Sequence, residues 1–365
     1  MNRNPFKFGS IVDEPYFTNR TVEIGQVTSV LNSSNHLILI SPRRYGKSSL
    51  VYKVIRTLDR PVIAVDLQLI TSIDDLASQL LKRIYRIYPA ERIKHFIRNF
   101  RIIPTVSLNP ATNEVDIAFQ HASVDFPMLE DVLNMIDKLS SEKKRVIVVM
   151  DEFQEVSRLN TNLVRQLRSV MQHHQHVNYV FPGSQESMIR EIFDKKKSPF
   201  YHFGFLLTLS KINRPDFRNY LVNGLHLQSE KSVGIADNIL DFTKCHPYYT
   251  QQLAFSVWGI LSGNPESDNA AGQAIDEIVK IHDMDYERLW GTFNNTDKKL
   301  LIGMSESGLT PLSEAFYRKY DMGAPSTVFS SLKRIMKNGY ITKLENKYEI
   351  DDPFFSYWIT QRRNL

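Results

Sequence analysis

Lys47 and Ser48, preceded by Gly46 and by Ser41, Pro42, Arg43, Arg44 and Tyr45, have the spacing of a loop that can cradle a polyphosphate. The backbone N–H groups of such a loop face the anion, and so does the first turn of the next helix, here including Ser49. The helix dipole favours negative charge at that end. Lys47 would reach the β- and γ-phosphates, and the Ser48 hydroxyl would ligate magnesium. The pattern G-x-x-x-x-G-K-[ST] asks for glycine at its first place; Ser41 stands there and tolerates close approach less well. Phosphoryl chemistry also needs a carboxylate for the metal and a group to handle the attacking water. Asp151 and Glu152 are of the right type. Asp151 is read as holding magnesium through water, and Glu152 as the general base or water-orienting group. A basic turn before a helix, or an acidic strand end in solvent, would explain either group alone. Their pairing points to nucleoside triphosphate chemistry.

The elements around these residues suit that reading. Residues 36–40 are a short apolar run of strand type entering the loop, and residues 49–58 follow it as an amphipathic helix. Residues 146–150 form a continuous apolar run, as in a parallel strand covered on both faces. Asp151 and Glu152 then lie at its C-terminal end, where open α/β sheets place their ligand crevice. Residues 61–67, 177–184 and 203–209 read as further strands alternating with helical segments, which indicates βαβ units. Ser184 falls between the loop strand and the acidic strand, where it either senses the γ-phosphate or only makes a turn with Gly183. Residues 101–119 look like a hairpin around Asn-Pro-Ala-Thr-Asn, a lid, contact surface or inert decoration inserted in the core.

The chain has 365 residues, 42% of them hydrophobic and 23% charged, which fits two or three globular domains. No apolar stretch reaches the length of a membrane span, and the first residues lack a signal-peptide core. A lone cysteine, Cys245, cannot form an internal disulfide, so a reducing cytoplasm is expected. The net charge of +5 permits contact with nucleic acid without demanding it.

Three domains are expected: a core over 1–210, a helical lid over 211–290 and a winged helix over 291–365. In the second, Pro247 suits the first turn of a helix. His246 before it either points from that helix toward a nucleotide or simply stands beside a cap. In the third, helices near 297, 312–320 and 326–337 precede a hairpin over 340–350. Lys333, Arg334 and Lys337 lie on the helix that would enter DNA, yet residues 294–365 hold eleven basic against eight acidic residues, a weak basic face. DNA contact and plain packing both stay open for this module.

With these pieces placed, the chain resembles the archaeal-type ATPase family of the STAND/AAA+ group. The resemblance rests mainly on Pro42-Arg-Arg-Tyr-Gly-Lys-Ser48 and Asp151-Glu-Phe-Gln154. Weaker support comes from Asn4-Pro-Phe6, Tyr16-Phe-Thr-Asn-Arg20 with Glu23, Gly183-Ser184, His246-Pro-Tyr248 and Asp352-Pro-Phe-Phe-Ser-Tyr-Trp358. It implies an α/β fold: a P-loop NTPase parallel sheet of AAA+ type, a helical lid and a winged helix. It also implies binding of ATP and ADP with magnesium, Phe17 and Arg20 near the adenine, and His246 and Pro247 as the lid's contact with the nucleotide. Adenine is preferred only through this likeness. Relatives tend to carry an arginine just after the 198–201 segment. This chain has His202, which implies slow hydrolysis. Arg165 or Arg168 could supply an arginine finger, or simply decorate an exposed helix face. His173, His174 and His176 read as a solvated helix end rather than a metal site.

The expectation is thus a cytoplasmic, magnesium-dependent ATP-binding protein and slow ATPase acting as a nucleotide-controlled switch, without membrane association. Two alternatives stand beside it. One is a double-stranded-DNA-binding regulator in which ATP is structural. The other is a scaffold whose nucleotide-driven homo-oligomer recruits a protein partner.

Overall fold

A computed structural model describes residues 3–109, 114–119, 126–225, 229–344 and 347–363. By their contacts the residues form two compact units. One, the sheet unit, holds residues 20–41 and 47–210; the other, the helical unit, holds residues 1–19, 42–46 and 211–365.

In the sheet unit the order is α1 (Thr21–Asn32), β1 (Leu37–Ile40), α2 (Lys47–Ile55), β2 (Val62–Asp66), α3 (Ile73–Ile87) and α4 (Ala90–Ile97). Then come β3 (Thr105–Asn109), β4 (Glu114–Ala118), α5 (Phe126–Leu139), β5 (Val146–Asp151), α6 (Val156–Leu159) and α7 (Leu163–Met171). The unit closes with β6 (Val177–Gly183), α8 (Glu186–Phe193) and β7 (Phe205–Thr208). Five strands make one sheet in the order β2-β5-β6-β1-β7, with every neighbouring pair parallel. All seven residues of β6 are buried, as are the first five of β5, so neither strand shows the alternation of a half-exposed sheet. α3 covers one face with Ile73, Leu76, Ala77, Leu80, Leu81 and Ile84, and Ser72 caps its start by accepting from the Asp75 N–H. β3 and β4 pair antiparallel as a hairpin between α4 and α5; the turn read at Asn-Pro-Ala-Thr-Asn lies largely outside the described residues.

The helical unit contains α9 (Arg214–Leu225), α10 (Ser229–Thr243), α11 (Pro247–Gly263), α12 (Ala270–Thr292), α13 (Asn295–Glu306), α14 (Glu314–Lys319) and α15 (Pro325–Lys337). The wing β8 (Ile341–Leu344) and β9 (Lys347–Ile350) pairs antiparallel, and α16 (Pro353–Arg362) follows. The wing's turn at Glu345-Asn346 lies outside the described residues. One apolar cluster runs through this unit from Ile212 to Ile359 and takes in Phe6 from the other end of the chain. Phe6 is 1% exposed, and its ring fills the space over Gly224, where an added Cβ would meet it at 2.6 Å. Among the described residues no helix is long and apolar enough to cross a membrane.

Candidate functional site

In the sheet unit, β1 delivers Ser41 fully buried, with its N–H donating to the Gly183 carbonyl at 3.3 Å. Lys47 opens α2 and is 6% exposed, and its ammonium donates to the Ser41 carbonyl at 3.1 Å. The helix begins two residues earlier than its apolar periodicity suggests, because Lys47 and Ser48 already belong to its first turn. The Ser48 hydroxyl donates to Asp151 Oδ2 at 3.3 Å, and Asp151 Oδ1 accepts from the Glu152 N–H at 2.9 Å. Burial, then the neighbouring Glu152 carboxylate, raise the Asp151 pKa above the usual carboxylate range; Lys47 works against them.

Glu152 sits in the left-handed region at φ 52, which turns its side chain back toward β6. There Oε2 accepts from the Ser184 N–H at 3.0 Å, from the Ser184 hydroxyl at 2.7 Å and from Gln154 Nε2 at 2.5 Å. Gly183 makes this possible: a Cβ there would lie 2.4 Å from the Ile189 side chain and 2.7 Å from Gln154 Oε1. Because β6 lies between β1 and β5, its end brings Ser184 beside the acidic pair. The sequence shows Gln154 in the Asp-Glu-Phe-Gln run but nothing local reveals that its amide holds Glu152.

Other candidates are placed as follows. Arg20 is buried at φ 87, bonded to Glu23 at 2.8 Å and to the Ser210 carbonyl at 2.8 Å. Phe17 is half-buried and belongs to the helical unit, its N–H on the Asp13 carbonyl at 3.1 Å. Arg165 is exposed. Arg168 is committed: it donates to the Pro199 carbonyl at 3.0 Å and to Gln172 at 2.9 Å, and lies over the Phe203 ring. His202 has φ 55 and stacks on Tyr201. The histidine cluster needs a correction. His174 is no solvated helix end, since its ring nitrogens meet the Tyr179 hydroxyl at 2.7 Å and Asn134 Oδ1 at 3.1 Å. Among the described residues no group of three or more His, Cys, Asp or Glu could hold a metal ion.

In the helical unit, the loop residues 42–46 pass through two left-handed positions, Arg44 at φ 65 and Gly46 at φ 87. Arg43 is exposed. The Arg44 guanidinium lies 4.5 Å from the Tyr248 ring centroid and donates to the Tyr249 hydroxyl at 3.2 Å. Tyr45 is buried, edge-on to His246 at 4.7 Å. His246 is itself the N-cap of α11: Nδ1 accepts from the N–H groups of Tyr248 and Tyr249, with Pro247 at the first helical position. That fixes the tautomer, so Nε2 carries the hydrogen. Nε2 lies 3.8 Å from Asp351 Oδ1. Burial above all, with Lys211 and Arg44, pushes the His246 pKa down to about 3; burial, then Asp352, pushes Asp351 up to about 7.

A family model described as an ATPase domain predominantly from Archaea matches residues 17–202, just over half of the chain. The chain belongs to this family. The ATPase domain therefore covers the loop, the acidic pair and Ser184. A second model, a probable winged helix domain, matches residues 284–361. No sequence among the curated proteins matches the chain. Among solved structures, the Walker-type ATPase PABY2304 of Pyrococcus abyssi aligns with a TM-score of 0.68 at 16% identity, over 98% of this chain and 99% of that one. The Aeropyrum pernix ORC2 protein, in ADPNP–ADP complexes, aligns with a TM-score of 0.58 at 12% identity, over 98% of each chain. At these identities the likeness is one of fold: a parallel P-loop sheet followed by helices and a winged helix.

Proposed function

We propose that this ATPase-family chain binds ATP with magnesium, hydrolyses it slowly and uses the nucleotide state as a switch. The observation that carries the reading is the meeting of Lys47, Ser48, Asp151, Glu152 and Ser184 at the ends of three adjacent parallel strands. Lys47 and the amides of the loop from Ser41 to Ser49 would bind and neutralise the phosphates. The Ser48 and Asp151 oxygens fit magnesium, a hard cation that takes one or two carboxylates and keeps several waters. When bound, magnesium supplies charge neutralisation on the phosphate oxygens. It would also offset the cost of ionising Asp151 in a buried place. Glu152 would orient the attacking water and take its proton. With Oε2 held by three donors, its other oxygen would be the one to meet the water.

Phe17 is our candidate for contact with the adenine, while Arg20 acts by fixing the backbone where the sheet unit begins. We assign His246 and Pro247 to building the lid turn rather than to touching phosphate. The His246 ring is buried and its Nδ1 is committed to capping α11.

The switch would bias the winged helix between two placements, provided they differ in affinity for the nucleotide. We keep the lid over 211–290 and the winged helix over 291–365 as its two parts. A DNA-binding role is supported by Lys333 and Lys337, which are exposed four residues apart on α15. Arg334 is less available, being paired with Asp297 at 2.5 Å. Phosphate release by the full chain, with and without duplex DNA, tests hydrolysis; small-angle scattering with and without ATP tests the switch. Measurable release and a shifted scattering curve are expected. Release no faster than buffer would end the hydrolase reading, and superimposable curves would end the switch.

A further inference from the structure

Helix α12 runs for 23 residues and turns one face to the core of the helical unit, where it buries Ala274, Ile278, Tyr286 and Trp290. Its outer face carries an apolar spot. Ile281 is 75% exposed and Met284 is 69% exposed. Single exposed apolar residues are ordinary on a protein surface. Among the described residues, however, these are the only two exposed large apolar side chains that share a helix. Residues three or four apart are neighbours on a helix surface, so the two form one spot.

Charges bracket that spot in an ordered way. Glu277 stands four residues before Ile281, and Arg288 four residues after Met284; both are exposed. This spacing sets all four residues along one stripe of the helix. The apolar pair and the charged pair also share a midpoint, between His282 and Asp283. A twofold axis through that point lays a second α12 antiparallel on the first. Ile281 then meets Met284 of the second copy, and Glu277 meets Arg288 of the second copy, each contact occurring twice. A parallel pair would instead set Glu277 against Glu277 and Arg288 against Arg288.

The flanks of the stripe agree. Exposed Lys280 lies on the same side as Glu287, and antiparallel packing brings it toward Glu287 of the second copy. Asp285, on the other flank, would approach its own copy, but His282 at 3.8 Å and Arg288 at 3.9 Å answer it on its own helix. The Arg288 side chain is 76% exposed, which leaves it able to reach Glu277 across the axis. Two acids and two bases balance along the stripe, at Glu277, Asp285, Lys280 and Arg288. Such a surface complements itself better than it fits a partner of one sign, such as a nucleic acid backbone.

We propose that the outer face of α12 is an isologous interface, through which two copies of this chain pair with their α12 helices antiparallel. The pairing needs no nucleotide and uses none of the residues assigned to phosphate, metal or water.

Sedimentation equilibrium of the full chain without nucleotide tests it. One helix pair makes a small interface, so wild type should pass from monomer to dimer with a dissociation constant between about 1 and 200 μM. Ile281→Asp places a charge at the centre twice over, and Arg288→Glu or Glu277→Arg makes both charged contacts repulsive. Each should weaken the dimer at least about tenfold, with an unchanged far-UV spectrum because the altered side chains are exposed. An equimolar mixture of Arg288→Glu with Glu277→Arg restores opposite charges across both contacts of a mixed dimer. That mixture should dimerise about as well as wild type. Wild type still monomeric at about 500 μM would leave the face to a different partner and overturn the assignment. So would a dimer that Ile281→Asp leaves unchanged, or a mixture no more dimeric than its two components. The ATPase reading rests on other residues and stands under any of these results.

Discussion

The molecule carries two adjacent pairs of acidic residues just where a strand ends, and they are treated differently. Asp151-Glu152 closes β5 in the sheet unit; Asp351-Asp352 follows β9 in the helical unit. In both pairs the first aspartate has a raised pKa, caused mainly by burial and then by the acid beside it. In the first pair, donors answer the charges: the Ser48 hydroxyl, the Glu152 N–H, both Ser184 donors and the Gln154 amide. In the second, Asp352 is answered by the α16 amides it caps and by the Tyr286 hydroxyl, while Asp351 Oδ1 is left without a partner. At Asp151 the Glu152 N–H and Lys47 offset part of the effect of burial, which suits its oxygens to a cation. A buried carboxyl short of donors instead holds its proton toward neutral pH.

The largest expected effect breaks the first pair. Glu152→Gln keeps the shape and the contacts with Ser184 but removes the base, so phosphate release should fall by up to about 10⁴-fold. Nucleotide affinity should stay within a factor of about three, because the change touches water rather than phosphate. Lys47→Ala should do the opposite, weakening ATP about 100-fold by removing a charge-assisted contact. Titration with a fluorescent ATP analogue separates the two. Equal affinity and turnover in both variants would remove the assigned roles.

The second pair is sharpened by pH. Asp351 has a folded pKa of about 7 against an ordinary value of 3.8. Its contribution to stability is full below the unfolded value and is lost as pH rises through about 7, because the native state binds the extra proton between the two. The span corresponds to about 4 kcal/mol at most, less the share that solvent screens at this 12% exposed side chain. His246 acts in the reverse sense: its folded pKa of about 3 gives stability present above its unfolded 6.5 and lost as pH falls through about 3. Between about pH 4 and 6.5 the two slopes oppose, so wild type should look nearly flat there. Burial sets most of the Asp351 shift; Asp352 and Glu349 add to it, and Arg44 and Lys211 work against it. Asp351→Asn removes the falling slope alone, so urea denaturation of the variant should show stability rising over this range. A variant profile parallel to wild type would mean that Asp351 titrates as an ordinary surface acid.

The contrast also explains what was legible in the sequence. The continuous apolar runs of β1 and β5 read as strands and the residues at their ends follow from that, while β6, interrupted by the buried Asn178, is marked instead by its β-branched and aromatic residues and by Gly183 and Ser184 at its end. Membership of the helical unit had no such signal. Phe6 enters that core through a fit against Gly224, far along the chain, which leaves no local periodicity. Loop residues Arg44 and Tyr45 pack on Tyr248, Tyr249 and His246 for the same kind of reason. α16, seen in the sequence only as the run Asp352–Trp358 shared with the family, buries Phe354, Phe355, Trp358 and Ile359 along one stripe of the helix, with Asp352 as its cap and Pro353 at the first position. Arg334 looked like a free basic residue because its partner, Asp297, lies two helices upstream.

The smallest effect tests whether donors around the first pair do more than fill space. Ser184→Ala removes one of three bonds to Glu152 Oε2 and leaves the Ser184 N–H and the Gln154 amide in place. A hydrogen bond to a charged group contributes about 1.5–3 kcal/mol when lost outright, but the carboxylate keeps two donors, so roughly a tenfold fall in phosphate release is expected. Affinity for ATP should hardly move if Ser184 acts through Glu152. If Ser184 instead touches the γ-phosphate, ATP should weaken while ADP does not. That ratio of ATP to ADP affinity decides between a positioning residue and a phosphate sensor, and a Glu152→Gln, Ser184→Ala double variant no slower than Glu152→Gln alone would place the serine's whole effect in the glutamate.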